Sequence, residues 1–423
     1  MMRSQRSFAA GALCSVAWLL VGTAAALPPP ESEPTLPTQE LAPASVALSG
    51  PGYAVGSPTQ VKNFLGQFSI RSDWGAIDAD GGVILALRVA EMPALAELDK
   101  ISHTKVFADA IAESAGKTIN GVVRVASDPV GAITGIPAGV GRLFARTADR
   151  VSSAASAMGA TVRSKGGDAK SAESVVTDYA KEFAGLNRAR RALAKSAGID
   201  PYTGNPLLRK RLEELAWASV AGAVPVTLAT SAVSGVAGTA LKVTRRLAGL
   251  VWDLSPDEIK QKLAPRLVAL GNSPESSKSF LRNTSFTPTL QLSFVNALEG
   301  IGRVGGAEGL LRIAIGARSE AHALFLIQQL RMIRRDAGAK DPVRELIALD
   351  QSVVARLASG RRVLALPVDY FCWTEQVAEL AGRADRERGQ RDLVVAGIAS
   401  PVLIQAAREL GWRVSDRAGY VLE

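Results

Sequence analysis

The sequence predicts a mainly α protein with a small N-terminal β element and a C-terminal α/β unit, ordered strand-helix-strand-helix-strand around a parallel sheet. Three observations lead there. Apolar residues recur at helical spacing through much of the chain from Met92 to Leu250. A full helix-start signature stands at Ser255. From Arg361 onward, short apolar runs alternate with amphipathic segments.

Residues 1–26 read as a secretory signal peptide. Arg3 and Arg6 form a basic start, "FAAGALCSVAWLLVGTAAA" is the apolar core, and Ala24-Ala25-Ala26 supplies the small-residue cleavage pattern. Cleavage after Ala26 removes Cys14 and leaves Cys372 alone, so no internal disulfide is expected. Residues 27–60, with "PPPESEPTLPTQELAPAS", have prolines every few positions and read as an extended or disordered spacer.

Residues 61–253 are expected to form a β-hairpin followed by a helical body. "FLGQFSIRSDWG" and "GGVILALRVA" flank the turn-like "AIDADGG". "DADGG" opens like a calcium loop, but counting from Asp78 puts Val89 where the bidentate acid belongs, so it reads as a turn. Farther on, Val175, Tyr179, Phe183, Leu186 and Leu193 follow helical spacing. Two stretches are unusual: Asn120 to Phe144, rich in Gly, Val and Ile, and Ala216 to Leu241, which carries no charge. The second is long enough to span a bilayer. Ala, Gly, Ser and Thr dominate it and Pro225 interrupts it, so a buried helical hairpin is the favoured reading. Ala216, Val226, Leu228 and Leu241 are the residues that would contact membrane were it to insert.

Residues 254–360 read as a helical domain. Ser255 is the expected N-cap, with Pro256 in the first turn, Glu258 closing a capping box and Gly271 as the stop. "GGAEGLLRIAIGARSEAHALFLIQQLRMIRRDAG" is a long helix or a pair broken near Gly316. Residues 361–423 form the α/β unit: "RRVLALPVDY" a strand, "FCWTEQVAELAGRA" a helix, "RDLVVAGIAS" a strand, "SPVLIQAARELGW" a helix capped by Ser400, and "WRVSD" a strand.

Several chemistries are disfavoured. Ile111 to Thr118, "IAESAGKT", ends like a phosphate-binding loop, but Ile111 occupies the position that needs glycine, so no nucleotide is expected. The net charge is +9, two units of it on the leader, and aromatics are only 5%; with no basic stripe of interleaved aromatics, no nucleic-acid partner is expected. Two histidines and one cysteine make no credible zinc set, and no metal or cofactor is expected. An open parallel sheet binds ligands beyond the carboxyl ends of its strands. There the weak catalytic candidates are Asp369, Cys372 and Glu375, with His103 or His322 as a base for Cys372. A structural thiol and a helix-capping Ser400 are the plainer explanations.

The reading that results is an exported bacterial cell-envelope protein, periplasmic or extracellular, of non-enzymatic binding or scaffolding type. Its expected partner is an anionic membrane surface or an envelope protein. The alternatives are a hydrolase-like enzyme with its site in the C-terminal α/β unit and a secreted membrane-active effector.

Overall fold

The structure, a computed structural model, describes residues 27–102, 185–220, 245–349, 351–381 and 389–421. The chain divides into two compact units, one of Met1–Ala96, Gly198–Arg209 and Val236–Glu423, the other of Glu97–Ala197 and Lys210–Gly235.

The larger unit opens with a six-stranded sheet. Its strands are β1 (Thr35–Leu36), β2 (Ser49–Gly50), β3 (Tyr53–Val55), β4 (Thr59–Lys62), β5 (Leu65–Ser72) and β6 (Gly75–Asp80), with a one-turn helix α1 (Thr38–Leu41) after β1. All pairings are antiparallel. β5 carries the sheet: β4 and β3 pair along one edge, and β6 along the other. Phe68 and Ile70 alternate inward on β5 against Ala79 and Ile77 of β6, the period-two pattern of a half-buried strand. β4 turns into β5 through Asn63 and Phe64, both at positive φ (52° and 65°), the conformation a two-residue hairpin needs.

Helix α2 (Gly82–Ser102) follows β6. Beyond the undescribed segment come a helix α3 (185–197) and α4 (Pro206–Val220). In the smaller unit Leu98, Leu193, Ala194 and Leu212 are buried, and Arg211 bridges Asp99 at 2.5 Å.

Five helices then run in the larger unit: α5 (Arg245–Asp253), α6 (Pro256–Ala269), α7 (Pro274–Leu281), α8 (Pro288–Ile301) and α9 (Ala307–Gly316), followed by α10 (Glu320–Ala337). Ser255 caps α6 and closes the capping box with Glu258. Phe280, Phe286 and Phe294 cluster with ring centroids 4.8–5.5 Å apart. Such pairs add to the area they bury.

The C-terminal sheet has five strands in the order β13-β11-β9-β8-β7. They are β7 (Val343–Leu349), β8 (Ser352–Leu357), β9 (Arg362–Leu366), β11 (Arg391–Val395) and β13 (Trp412–Ser415). β11 runs parallel to β9 and β13, while β8 is antiparallel to both β7 and β9. A small parallel pair, β10 (Tyr370–Phe371) and β12 (Ile398–Ala399), lies beyond the carboxyl ends. Helices α11 (Glu375–Ala381) and α12 (Pro401–Glu409) contribute Val377, Leu403, Ala406 and Ala407 to a core with Leu364, Leu366, Leu393 and Val395. On α10, the buried Gln329 donates to Ser352 Oγ (2.7 Å) and Ala365 O (2.8 Å) and accepts from Val353 N–H.

The fold class expected from the sequence is corrected on two counts. The N-terminal β element is not small: it is a six-stranded antiparallel sheet that starts at Thr35, inside the stretch read as a spacer. Its prolines do not prevent this. Pro34 accepts a sheet-like bond from Val61 N–H at 2.9 Å, using the carbonyl that proline retains. The C-terminal sheet is not parallel but mixed. Its antiparallel half, β7 and β8, comes from residues assigned to the helical domain, because Arg, Glu, Leu and Ala in "VRELIAL" are good helix formers that pairing turns to strand.

Candidate functional site

At the carboxyl end of β9 the chain runs through Pro367 and Val368 to Asp369, which is 1% exposed. Its carboxylate is surrounded by donors. Gly66 N–H donates to Oδ2 at 2.8 Å, and Gly82 N–H lies 2.9 and 3.0 Å from the two oxygens. The Tyr420 hydroxyl donates to Oδ1. Gly82 is the first residue of α2, so Asp369 acts as an N-cap reaching in from far along the chain. The approach is close enough to dictate sequence. A Cβ on Gly82 would stand 2.8 Å from Oδ1, and one on Gly397 would stand 2.0 Å from the Asp369 carbonyl oxygen. "DADGG" is therefore the point where a strand ends and a helix begins against a buried carboxylate.

Burial pushes Asp369 up to about 6, against the Tyr420 hydroxyl and the Gly66 and Gly82 amides, which favour the charged form. Tyr420 is raised well above its ordinary value, first by burial and then by the charge of Asp369.

Cys372 is fully buried, and its thiol is pushed up to about 12 by burial and by the charges of Glu33 and Glu31. That is the reverse of what activates a thiolate. Glu375 is exposed in the first turn of α11. His322 is buried at the start of α10, where its ring stands edge-on to Phe325 with centroids 6.4 Å apart. The Ser400 hydroxyl accepts from Leu403 N–H at 3.0 Å, the capping role expected of it, and donates to Glu31. His103, the "GKT" segment, Val226, Leu228 and Leu241 lie outside the described residues. Ala216 is buried in α4. Among the described residues no helix is long and apolar enough to cross a membrane, and no group of acids, histidines or cysteines is placed to hold a metal.

The residues that sequence reasoning missed are those that fill this end of the sheet. Glu31 accepts from Trp373 N–H at 2.8 Å, its own N–H donates to Trp373 O at 2.8 Å, and Trp373 Nε1 donates to Pro28 O at 3.0 Å. Glu33 accepts from Phe64 N–H at 2.6 Å. Phe64, at the tip of the β4–β5 hairpin, enters the C-terminal core and meets Phe371 edge-on at 5.1 Å. Its carbonyl accepts from both Asp369 and Tyr370 N–H at 3.1 Å. The signal available in the sequence was the spacing of Glu31 and Glu33, which an extended chain turns to one side.

A second buried polar cluster lies between helices. Arg88 on α2 pairs with Glu320 at the start of α10 and stands 3.6 Å from Glu91. The Thr203 hydroxyl donates to Glu91, whose carboxyl is held above its usual range, first by burial. Beside it is a cavity of about 90 Å³ lined by Val83, Leu87, Tyr202, Leu290, Leu324 and Ile327 among others. That space holds a few waters or a handful of heavy atoms.

No known family model, curated protein or solved structure matches the chain.

Proposed function

We propose that this chain is an exported envelope protein that binds or scaffolds rather than catalyses, placed in the periplasm or outside the cell against an anionic membrane surface or an envelope protein. The observation that carries the non-catalytic half is the state of Asp369. At the end of the sheet where an α/β fold offers a ligand its site, this carboxylate is enclosed by donors from three distant segments of its own chain. It holds those segments together, and the neighbouring Cys372 is a buried, protonated thiol. Export is supported by the leader pattern in residues 1–26.

The test is fractionation of cells expressing the full chain, with the envelope pellet washed in high salt. The reading expects the protein in the envelope or exported fraction, with Glu375→Gln and Cys372→Ser distributed as wild type. Retention in the cytosol would overturn export. Turnover of an ester or amide substrate that is lost in Cys372→Ser or Glu375→Gln would overturn the non-catalytic reading.

A further inference from the structure

The cavity of about 90 Å³ lies within the larger unit, where α2, the 199–204 loop, the start of α8 and α10 meet. Its two long walls follow one pattern. Glu91, Leu87 and Val83 line it from α2, and Glu320, Leu324 and Ile327 line it from α10. Each set shares one helix face. Each helix therefore contributes an acid, with apolar residues one and two turns away. Arg88 joins the two acids: it pairs with Glu320 and stands 3.6 Å from Glu91. A void left by imperfect packing is apolar. A few polar groups set into apolar walls are the lining of a small-molecule site.

The ionic end is out of balance. The Arg88 guanidinium, on a side chain only 4% exposed, serves two carboxylates. The Thr203 hydroxyl donates to Glu91 Oε1, while Glu91 Oε2 is buried and accepts no hydrogen bond among the described residues. Burial first, and the charge of Glu320 as well, hold the Glu91 carboxyl above its usual range, although Arg88, Thr203 and Asn205 favour the charged form. The remaining charges in the wall do not redress this. Asp200 is a third acid, and it accepts from Tyr202 N–H at 2.8 Å and from the Thr289 hydroxyl at 2.6 Å. Arg331 lies three turns along α10 from Glu320, roughly 16 Å away along the helix.

We propose that the cavity binds a short organic cation, a primary ammonium group on an alkyl body. The ammonium sits among Glu91, Glu320 and Thr203, and the alkyl chain lies against Leu87, Leu324 and Ile327. An ammonium brings three donors and one positive charge. It gives Glu91 Oε2 a donor and the second carboxylate a cation. An alcohol of the same size supplies the donor without the charge, and a carboxylate adds to the surplus. The space is smaller than the roughly 150 Å³ that admits benzene, so the chain is short. The Glu320 side chain is 27% exposed, which opens the ionic end to solvent. This inference goes beyond the envelope reading and does not depend on it.

The experiment titrates the purified full chain at neutral pH with n-butylammonium, 1-butanol and butyrate, three probes of similar size, read by ligand-observed NMR. A ligand of about five heavy atoms is expected to bind butylammonium's site with a Kd on the order of 1 mM. Butylammonium is expected to bind about tenfold more tightly than butanol, and butyrate more weakly than either. Glu91→Gln keeps the size and removes one charge. It is expected to weaken butylammonium about tenfold and butanol less than about twofold. Leu324→Phe, which fills the apolar part, is expected to weaken both about tenfold. Urea midpoints without ligand check folding, and Glu91→Gln decides the matter alone if Leu324→Phe does not fold. Equal binding of butanol and butylammonium would overturn the cation as the ligand class. Wild-type binding of butylammonium by Glu91→Gln would overturn the site. Failure of all three probes to bind would overturn the inference as a whole.

Discussion

The two ends of the C-terminal sheet use charge in opposite ways. At the carboxyl end a single carboxylate, Asp369, is closed in by Gly66, Gly82 and Tyr420, and Glu31 and Glu33 bind the N-terminal segment beside it. Each of these three acids faces donors from its own chain. At the opposite end Arg356, Arg362 and Arg391 stand in register on adjacent strands, and Glu345 bridges Arg356. The comparison teaches where to look for function. The end that fold-level analogy nominates is taken up with architecture.

Breaking the carboxyl end should have the largest effect. Asp369→Ala leaves the buried amides of Gly66 and Gly82 and the Tyr420 hydroxyl without their acceptor and is expected to cost about 3 kcal/mol in urea unfolding. Asp369→Asn is no rescue, because both oxygens accept and an amide would turn an N–H toward Gly66 or Gly82. A loss under about 1 kcal/mol for either would show that the carboxylate does not hold these segments.

Phe64→Ala should cost about 3 kcal/mol by removing a core aromatic. Phe64→Gly should recover part of that, since φ of 65° is strained for any side chain. If glycine proves worse than alanine, the strain argument is wrong.

The pH dependence sharpens the role of Asp369. Its pKa is raised to about 6 in the folded state. An unfolded Asp titrates near 3.9, so between about pH 4 and 6 the folded protein holds the extra proton. Stability from this group therefore falls as pH rises through that window, by at most about 3 kcal/mol, and is level above it. Asp369→Asn lacks the slope, so the gap between wild type and variant should be wider at pH 4 than at pH 7.

Glu31→Ala, which loosens the N-terminal segment from Trp373 and Ser400, should cost about 2 kcal/mol. Cys372 should resist iodoacetamide in the native protein and react on unfolding, as its raised pKa requires. Arg356→Gln should change stability least, by under about 0.5 kcal/mol, because its bridge to Glu345 is half-exposed.

Local structure was legible where a few neighbouring residues decide it. Ser255, Pro256 and Glu258 mark the start of α6, Ser400 the start of α12, and Gly316 the break between α9 and α10. What was not legible is non-local. Residues 27–60 look unstructured because their hydrogen bonds join positions far apart in sequence: Glu31 with Trp373 and Ser400, Pro34 with Val61, and Thr38 with Gly56 and Thr59. "VRELIAL" has helix formers, and only pairing with β8 makes it a strand. Asp369 was legible as a residue of interest from its place after β9, but its partners lie some 300 positions away in sequence or near the C-terminus. The alignment of Arg356, Arg362 and Arg391 has no sequence signature at all, since they come from three strands and only register brings them together.

The most direct test of the account is urea unfolding of Asp369→Asn beside Glu375→Gln, an exposed acid at the same end of the sheet. The account predicts that Asp369→Asn lowers the midpoint and that Glu375→Gln keeps it. Equal midpoints for the two variants would contradict the assignment of Asp369 to holding the chain together.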